Sequence, residues 1–248
     1  MKKVYVVAVA AGMMLAGSAT AQKMKLGVEG GLNINNLMDH YRTDRNKNST
    51  KYGFHAGVVG EFGLSNHFSI APGLRYSMKG GEFDWEYNTS VDGRTTVVEQ
   101  EDKLTFHYIE LPVNLIYKTG TEGSGRFMIG GGPYLAYLAN AQNKWQTKTL
   151  WLENGQPTGN NDRGAQEIGV GDDEGDIVRT LDYGAQAFVG YQLPMGAFVK
   201  VGSQVGFANT VPKGSSGMLP NPQVTPENDG FRQKNYNFFV TLGYMFGK

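Results

Sequence analysis

Eight stretches of the chain alternate between apolar residues and others. This period-two pattern marks a strand with one face in an apolar environment. They read "MKLGVEGGLNI" (24–34), "YGFHAGVVGEFGL" (52–64), "HFSIAPGLRYSMK" (67–79), "TFHYIELPVNLIYK" (105–118), "RFMIGGGPYLAYL" (126–138), "LDYGAQAFVGYQL" (181–193), "AFVKVGSQVGF" (197–207) and "NYNFFVTLGYMF" (235–246). In the fourth, Ile109, Leu111, Val113, Leu115 and Tyr117 share a side, with Tyr108, Glu110 and Asn114 opposite. In the last, Tyr236, Phe238, Val240, Leu242, Tyr244 and Phe246 are all apolar or aromatic, and the residues between them are mixed. The fifth is less regular, because Met128 and Tyr134 sit opposite Phe127, Ile129, Leu135 and Tyr137.

The connections decide what kind of β protein this is. Short turns at 65–67, 119–125 and 194–196 alternate with long gaps at 35–50, 80–102, 139–180 and 208–233. Turns at one rim and loops at the other describe an up-and-down barrel. Soluble up-and-down barrels have no reason to segregate loop length so completely. Each segment also supplies the roughly 9–11 residues with which a tilted strand crosses hydrocarbon. The expectation is an all-β, eight-stranded antiparallel transmembrane barrel with short periplasmic turns and long extracellular loops. Its apolar face meets lipid and its polar face lines the lumen. Tyr76, Tyr117, Tyr137, Tyr183, Tyr191, Tyr236 and Tyr244 lie near segment ends, where aromatic girdles belong. A soluble periplasmic ligand-binding barrel is the competing architecture.

Composition and targeting agree with export. The 248 residues carry no formal net charge, which argues against nucleic acid as a partner. They include no cysteine, which removes disulfides, thiolate metal sites and cysteine catalysis. The 35 glycines suit a β protein with tight turns and close backbone contacts. The first residues, "MKKVYVVAVAAGMMLAGSATAQ", combine Lys2 and Lys3, an apolar run over 4–16 and a small-residue cleavage site at Ala19-Thr20-Ala21. This predicts a secretory signal peptide over 1–21 and a mature barrel domain over 22–248.

Charges on the inward side are Lys25, Arg75, Lys79 and Lys200 against Glu29, Glu61, Glu110 and Asp182, four of each sign. An eight-stranded barrel is only wide enough inside for its own side chains, and buried charges must be paired. These eight are therefore expected to form an ion-pair cluster that closes the lumen, with a charge-lined pore for small solutes as the alternative. Inward glycines, among them Gly57, Gly130 and Gly202, are expected to make room for the long charged side chains.

The strand pair "YIELPVNLIYK" (108–118) and "FMIGGGPYLAYL" (127–138) has a Pro in its first strand and Gly-Pro-Tyr in its second, across a short turn. It resembles the PorT-type outer-membrane β-barrel family. The resemblance implies a fold and a location, the outer membrane; it carries over no catalytic residues. It agrees with the aromatic last strand, whose Phe246 resembles the terminal aromatic read by barrel-assembly machinery, although Gly247 and Lys248 follow it.

Other chemistry is sparse. Of four histidines, His55 is expected in the lumen, His67 in a turn and His107 on the lipid face near a rim; His40 falls in the first long gap. His107 is the one candidate for a Ser-His-acid lipid-modifying enzyme, but no serine and acid are placed beside it, so the expectation is no enzyme. The run "GDDEGD" (171–176) is an acidic loop without the spacing of a Ca²⁺-binding helix-loop-helix. No cofactor or metal is expected. Trp145 and Trp151 in the longest gap are candidate contacts for an envelope protein or extracellular ligand, or else part of a hairpin prolonging the strand above the membrane. Outer-membrane lipid is the remaining partner.

Overall fold

The computed structural model describes residues 24–39, 46–91, 94–153, 156–172, 176–212 and 233–247. The predicted signal peptide over 1–21 lies outside them. Among the described residues there are ten strands: β1 (Met24–Asp39), β2 (Asn46–Ser49), β3 (Lys51–Gly63), β4 (Phe68–Val91), β5 (Arg94–Lys118), β6 (Arg126–Glu153), β7 (Gln156–Glu167), β8 (Leu181–Gln192), β9 (Ala197–Gly206) and β10 (Gln233–Phe246).

Eight of them close a ring in the order β1-β3-β4-β5-β6-β8-β9-β10, each antiparallel to its neighbours. The seam between first and last strand is continuous from Leu26 opposite Phe246 to Asp39 opposite Gln233. Closure leaves no sheet edge in the ring, the condition for placing strands in lipid. The two remaining strands are not staves. β2 carries on the line of β3 beyond Thr50 and pairs with β4, while β7 folds back along the outer half of β6.

The ring is inside-out relative to a soluble protein. Leu32, Val58, Leu115, Ile129, Val189 and Leu242 are exposed on its outer wall. Glu110, Asn114, Asp182, Gln186, Gln204 and Thr241 are buried within. Among the short turns, the one between β8 and β9 is made by Gly196 at φ 100, a conformation open to glycine with little strain.

Two of the expected loops are largely strand. Over 80–102 the chain continues as a β4–β5 hairpin, paired down to Val91 opposite Arg94. Over 139–167 it continues as β6 and returns as β7. A bulge between His107 and Tyr108, set against Leu138 and Asn140, marks where the β5–β6 pair passes from ring to extension. The staves on this side therefore rise well beyond the membrane as a sheet. Much of the gap over 208–233 falls outside the described residues.

Candidate functional site in the lumen

Inward residues are contributed by every stave, and they stack in three layers. Nearest the short turns, Val59, Ala71, Ile116, Met128, Phe198 and Met245 form an apolar layer with Phe188 and Phe239. Facing the long-loop side, Leu37, Phe83, Leu104, Phe106, Leu138 and Ala141 form another, joined by Ile168 and Val178. Ile168 and Val178 come from the segment between β7 and β8, which tucks back over the mouth. It is held there by Ile168 N–H donating to the Ala141 carbonyl at 2.9 Å and by Arg179 N–H donating to the Thr210 carbonyl at 2.7 Å.

Between these layers lies a chain of alternating charges. Lys200 Nζ is 2.6 Å from Glu29 Oε2. The other Glu29 oxygen faces Arg75 Nη1 at 4.0 Å. Arg75 Nε donates to Glu110 Oε2 at 2.7 Å. Lys79 Nζ approaches Glu110 Oε1 at 2.6 Å, an ionic contact without good hydrogen-bond alignment. Lys79 also faces the charge of Asp182. Three cations thus meet three carboxylates, and Glu110, at 0% exposure, sits between two cations. Burying ions this deeply is tolerable only when they are paired and their remaining donors satisfied. Arg75 Nη2 accordingly donates to Gln186 at 2.8 Å, and Gln186 in turn donates to Asn114 at 2.8 Å.

Aromatic rings complete the solvation of the cations. Lys79 lies 4.7 Å from the Tyr134 ring centre and 5.3 Å from that of Tyr108. Lys200 lies 5.0 Å from both Phe188 and Phe198. Such contacts gain strength when desolvated. Asp182 accepts hydrogen bonds from Tyr134 Oη at 3.1 Å and Asn235 Nδ2 at 2.9 Å. His55 is buried beside this network, its ring nitrogens 2.8 Å from Asn33 Oδ1 and 3.0 Å from Thr241 Oγ1.

Of the eight charges expected in one cluster, Glu29, Arg75, Lys79, Glu110, Asp182 and Lys200 meet here. Two do not. Glu61 pairs with Lys118 at 2.6 Å, nearer the short-turn rim, and Gln192 accepts from the same ammonium at 2.9 Å. Lys25 reaches Glu122 in the 119–125 turn at 2.7 Å and is partly exposed. The separation follows from register: Lys25 is opposite Glu61, at the end of β1 where the ring opens to water. Lys118, which sequence reasoning left as a strand end, has the same inward parity as Glu110 and Asn114, and that parity is the signal that identifies it. Inward glycines serve rings as much as charges. A Cβ on Gly57 would fall 2.5 Å from Arg75 Cβ, whereas one on Gly130 would fall 2.6 Å from Phe188 Cζ and one on Gly202 2.6 Å from Phe239 Cζ.

The other sequence candidates lie elsewhere. His107 faces outward and is engaged by Tyr76, whose hydroxyl is 2.5 Å from its Nδ1. Trp145 and Trp151 are half-buried on β6 above the ring, with Trp145 flanked by Asp102 and Gly164 and Trp151 by Thr96 and Thr158. Within the acidic run, Asp172 pairs with Arg179 at 3.5 Å, while residues 173–175 lie outside the described ones. Among the described residues no three metal-ligating side chains converge.

A closed antiparallel ring with an oily exterior and a paired polar interior defines a membrane-spanning β-barrel. The chain belongs to the outer membrane protein beta-barrel domain family, whose model matches residues 20–211. Solved structures with a similar outline include Ail, the attachment invasion locus protein of Yersinia pestis, determined with the heparin analogue sucrose octasulfate (9% identity, 90% of this chain and 99% of that one, TM-score 0.37). Others are Neisserial surface protein A (8%, 91% and 100%, TM-score 0.38) and OprG of Pseudomonas aeruginosa (9%, 92% and 98%, TM-score 0.30). No match is found among curated proteins.

Proposed function

We propose that this is a non-enzymatic outer-membrane barrel of the PorT type, closed inside, which works through the sheet and loops it raises outside the cell. The observation that carries the reading is the stacking of an ion-paired layer between two apolar ones across the whole lumen. The space left beside Lys118, Gln192 and Lys200 is a cavity of about 20 Å³, room for about one water molecule. The strand pair over 108–138, with Pro112 in β5 and Gly132-Pro133-Tyr134 in β6, supports the PorT-type assignment. Export through a cleaved signal peptide and insertion by barrel-assembly machinery go with it. The partner is an envelope protein or extracellular ligand, met by the extension that carries Trp145 and Trp151.

The test has two arms. Purified protein in planar bilayers is expected to give no discrete conductance steps; stable steps make it a small-solute channel instead. Crosslinking in the native envelope from positions on the extension, such as Gln146 and Asn161, is expected to capture a defined partner. Crosslinks arising equally from positions on the lipid wall argue against a role for the extension.

A further inference from the structure

The outer wall changes character where the β4–β6 staves leave the aromatic girdle. On β5, the outward positions Tyr117, Leu115, Val113 and Ile109 are exposed and apolar, and His107 closes the series against Tyr76. Beyond Thr105 the next outward residue is Lys103, and it lies directly opposite Lys144 of β6. Facing side chains on adjacent strands are only about 5 Å apart at Cβ, and like charges there repel. Lys103 has Glu82 at 3.8 Å. No carboxylate closes on Lys144 among the described residues. A third cation joins them from β3. The stem of Lys51 lies against Gly80, where an added Cβ would fall 3.1 Å from its Cδ, and the charges it faces are Glu82, Lys103 and Lys144.

Lys103 and Lys144 on one rung, Lys51 below them and the single close carboxylate of Glu82 thus form a positive patch at the edge of the hydrocarbon. The next rung upward is balanced, with Lys47, Asp84, Glu101, Gln146 and Arg163 in register across β2 and β4 to β7, and the one above sets Glu86 and Glu99 against Lys148. Rungs on one face of a strand are about 7 Å apart, and Lys51 lies against Gly80, one rung below Glu82, so the positive zone spans two rungs. Beside it a crevice of about 300 Å³ is lined by Lys103, Lys144, Arg163, Trp145 and Gln146, with Glu101 as its one carboxylate, so cations outnumber anions three to one. An anion resting between Lys103 and Lys144 would screen their repulsion, and the balanced rung above offers it no comparable excess of positive charge. Anchored headgroups occupy this level of a membrane.

We propose that Lys51, Lys103 and Lys144 bind the phosphate groups of an anionic outer-leaflet lipid, fixing a headgroup in the crevice on the β4–β6 side of the barrel. The site is independent of whether the lumen conducts.

The full chain in phosphatidylcholine nanodiscs, doped with a bisphosphorylated lipid A or its dephosphorylated form, tests this by native mass spectrometry of retained lipid. Wild type is expected to retain the phosphorylated form alone. A lysine beside an anionic surface contributes about fivefold to binding, so K51Q/K103Q/K144Q is expected to lose about 100-fold. In lipid-free detergent the same variant is expected to melt no lower than wild type, because a repulsion has been removed. If the triple variant misfolds, K144Q alone is expected to lose about fivefold. K148Q, two rungs up, is expected to lose nothing. Equal retention by wild type and variants, or equal binding of the dephosphorylated lipid, overturns the proposal. Displacement of the lipid by excess inorganic phosphate makes the patch a free-anion site and overturns the lipid assignment.

Discussion

The two halves of β5 are one uninterrupted strand with opposite meanings. From Lys118 to Tyr108 the inward positions are Lys118, Ile116, Asn114, Pro112, Glu110 and Tyr108, and the outward ones are Tyr117, Leu115, Val113, Leu111 and Ile109. From Phe106 to Val98 the inward positions are Phe106, Leu104, Asp102, Gln100 and Val98, and the outward ones include Lys103, Glu101 and Glu99. Backbone pairing to β4 and β6 is maintained through the change, apart from the one bulge. What changes is the solvent on the outside. In lipid the apolar side chains face outward and the polar ones must satisfy each other within. In water the ordinary arrangement returns, and the inward face becomes an apolar cap over the mouth. Period-two alternation therefore reports a strand in both halves, but which phase is oily depends on the surroundings.

The largest test of this contrast lies in the lower half. Glu110→Ala leaves Arg75 and Lys79 buried without their shared carboxylate. Removing one partner of a buried pair in this way costs about 4 kcal/mol. Denaturant unfolding in detergent or vesicles is expected to show that loss, along with weakened heat-modifiable mobility on gels. A cost under about 1 kcal/mol, typical of an exposed pair, would mean that the charged layer does not hold the staves together.

Next comes the apolar cap. Phe106 is fully buried and meets Tyr108 edge to face at 6.3 Å. Phe106→Ala is expected to cost about 3 kcal/mol, the lower end for a buried ring. Because the extension lies above the membrane, the loss should appear first as faster proteolysis of the 80–102 hairpin, while the ring stays folded. Simultaneous loss of ring and hairpin would show that the two halves unfold as one unit.

A matched pair of arginines separates the two outer walls. Val113 is outward and midway along the lipid-facing part of β5, and Val113→Arg is expected to destabilise by about 2 kcal/mol at that depth. Gln146→Arg, outward on the extension, is expected to change stability by no more than about 0.5 kcal/mol. Equal effects would place the hydrocarbon boundary elsewhere than His107.

How much of this was legible in the sequence follows from the same inversion. The eight lower segments could be read because one rule, oily side outward, held along each. Over 80–102 the extension reads as loop because its oily phase sits on the opposite parity, whereas around Trp145 and Trp151 the alternative of a hairpin prolonging the strand is the one found. Phe106 and Leu104 are in phase with Glu110, so the expected pattern simply ended at Thr105. The lumen was legible as far as charge is concerned, since Glu29, Arg75, Glu110 and Lys200 have inward parity and few other places to go. Its apolar layers were not, because Met128, Tyr134, Phe239 and Met245 looked like noise in an otherwise polar face. They are inward residues at the levels where the lumen is sealed by rings and thioethers instead of ions. The pairing of Lys118 with Glu61 rather than a six-charge neighbour was likewise out of reach, because strand stagger, not parity, sets which level a charge occupies.

The last comparison sets two ion pairs on the same sheet against each other. Lys148 and Glu99 face each other across β5 and β6 at 3.8 Å, each nearly half exposed. Glu110 and Lys79 belong to neighbouring staves and are buried. Water screens the upper pair, and holding two long side chains together offsets most of what Coulomb attraction remains. Lys148→Ala is therefore expected to cost less than about 1 kcal/mol, and less again at high salt. Measured beside Glu110→Ala in the same detergent, it removes a charge from the same type of backbone pairing, so the difference between the two isolates burial. If raising the salt were to erase the Glu110 penalty as readily as that of Lys148, the lower charges would have to be reached by water and ions, and the lumen could not be closed.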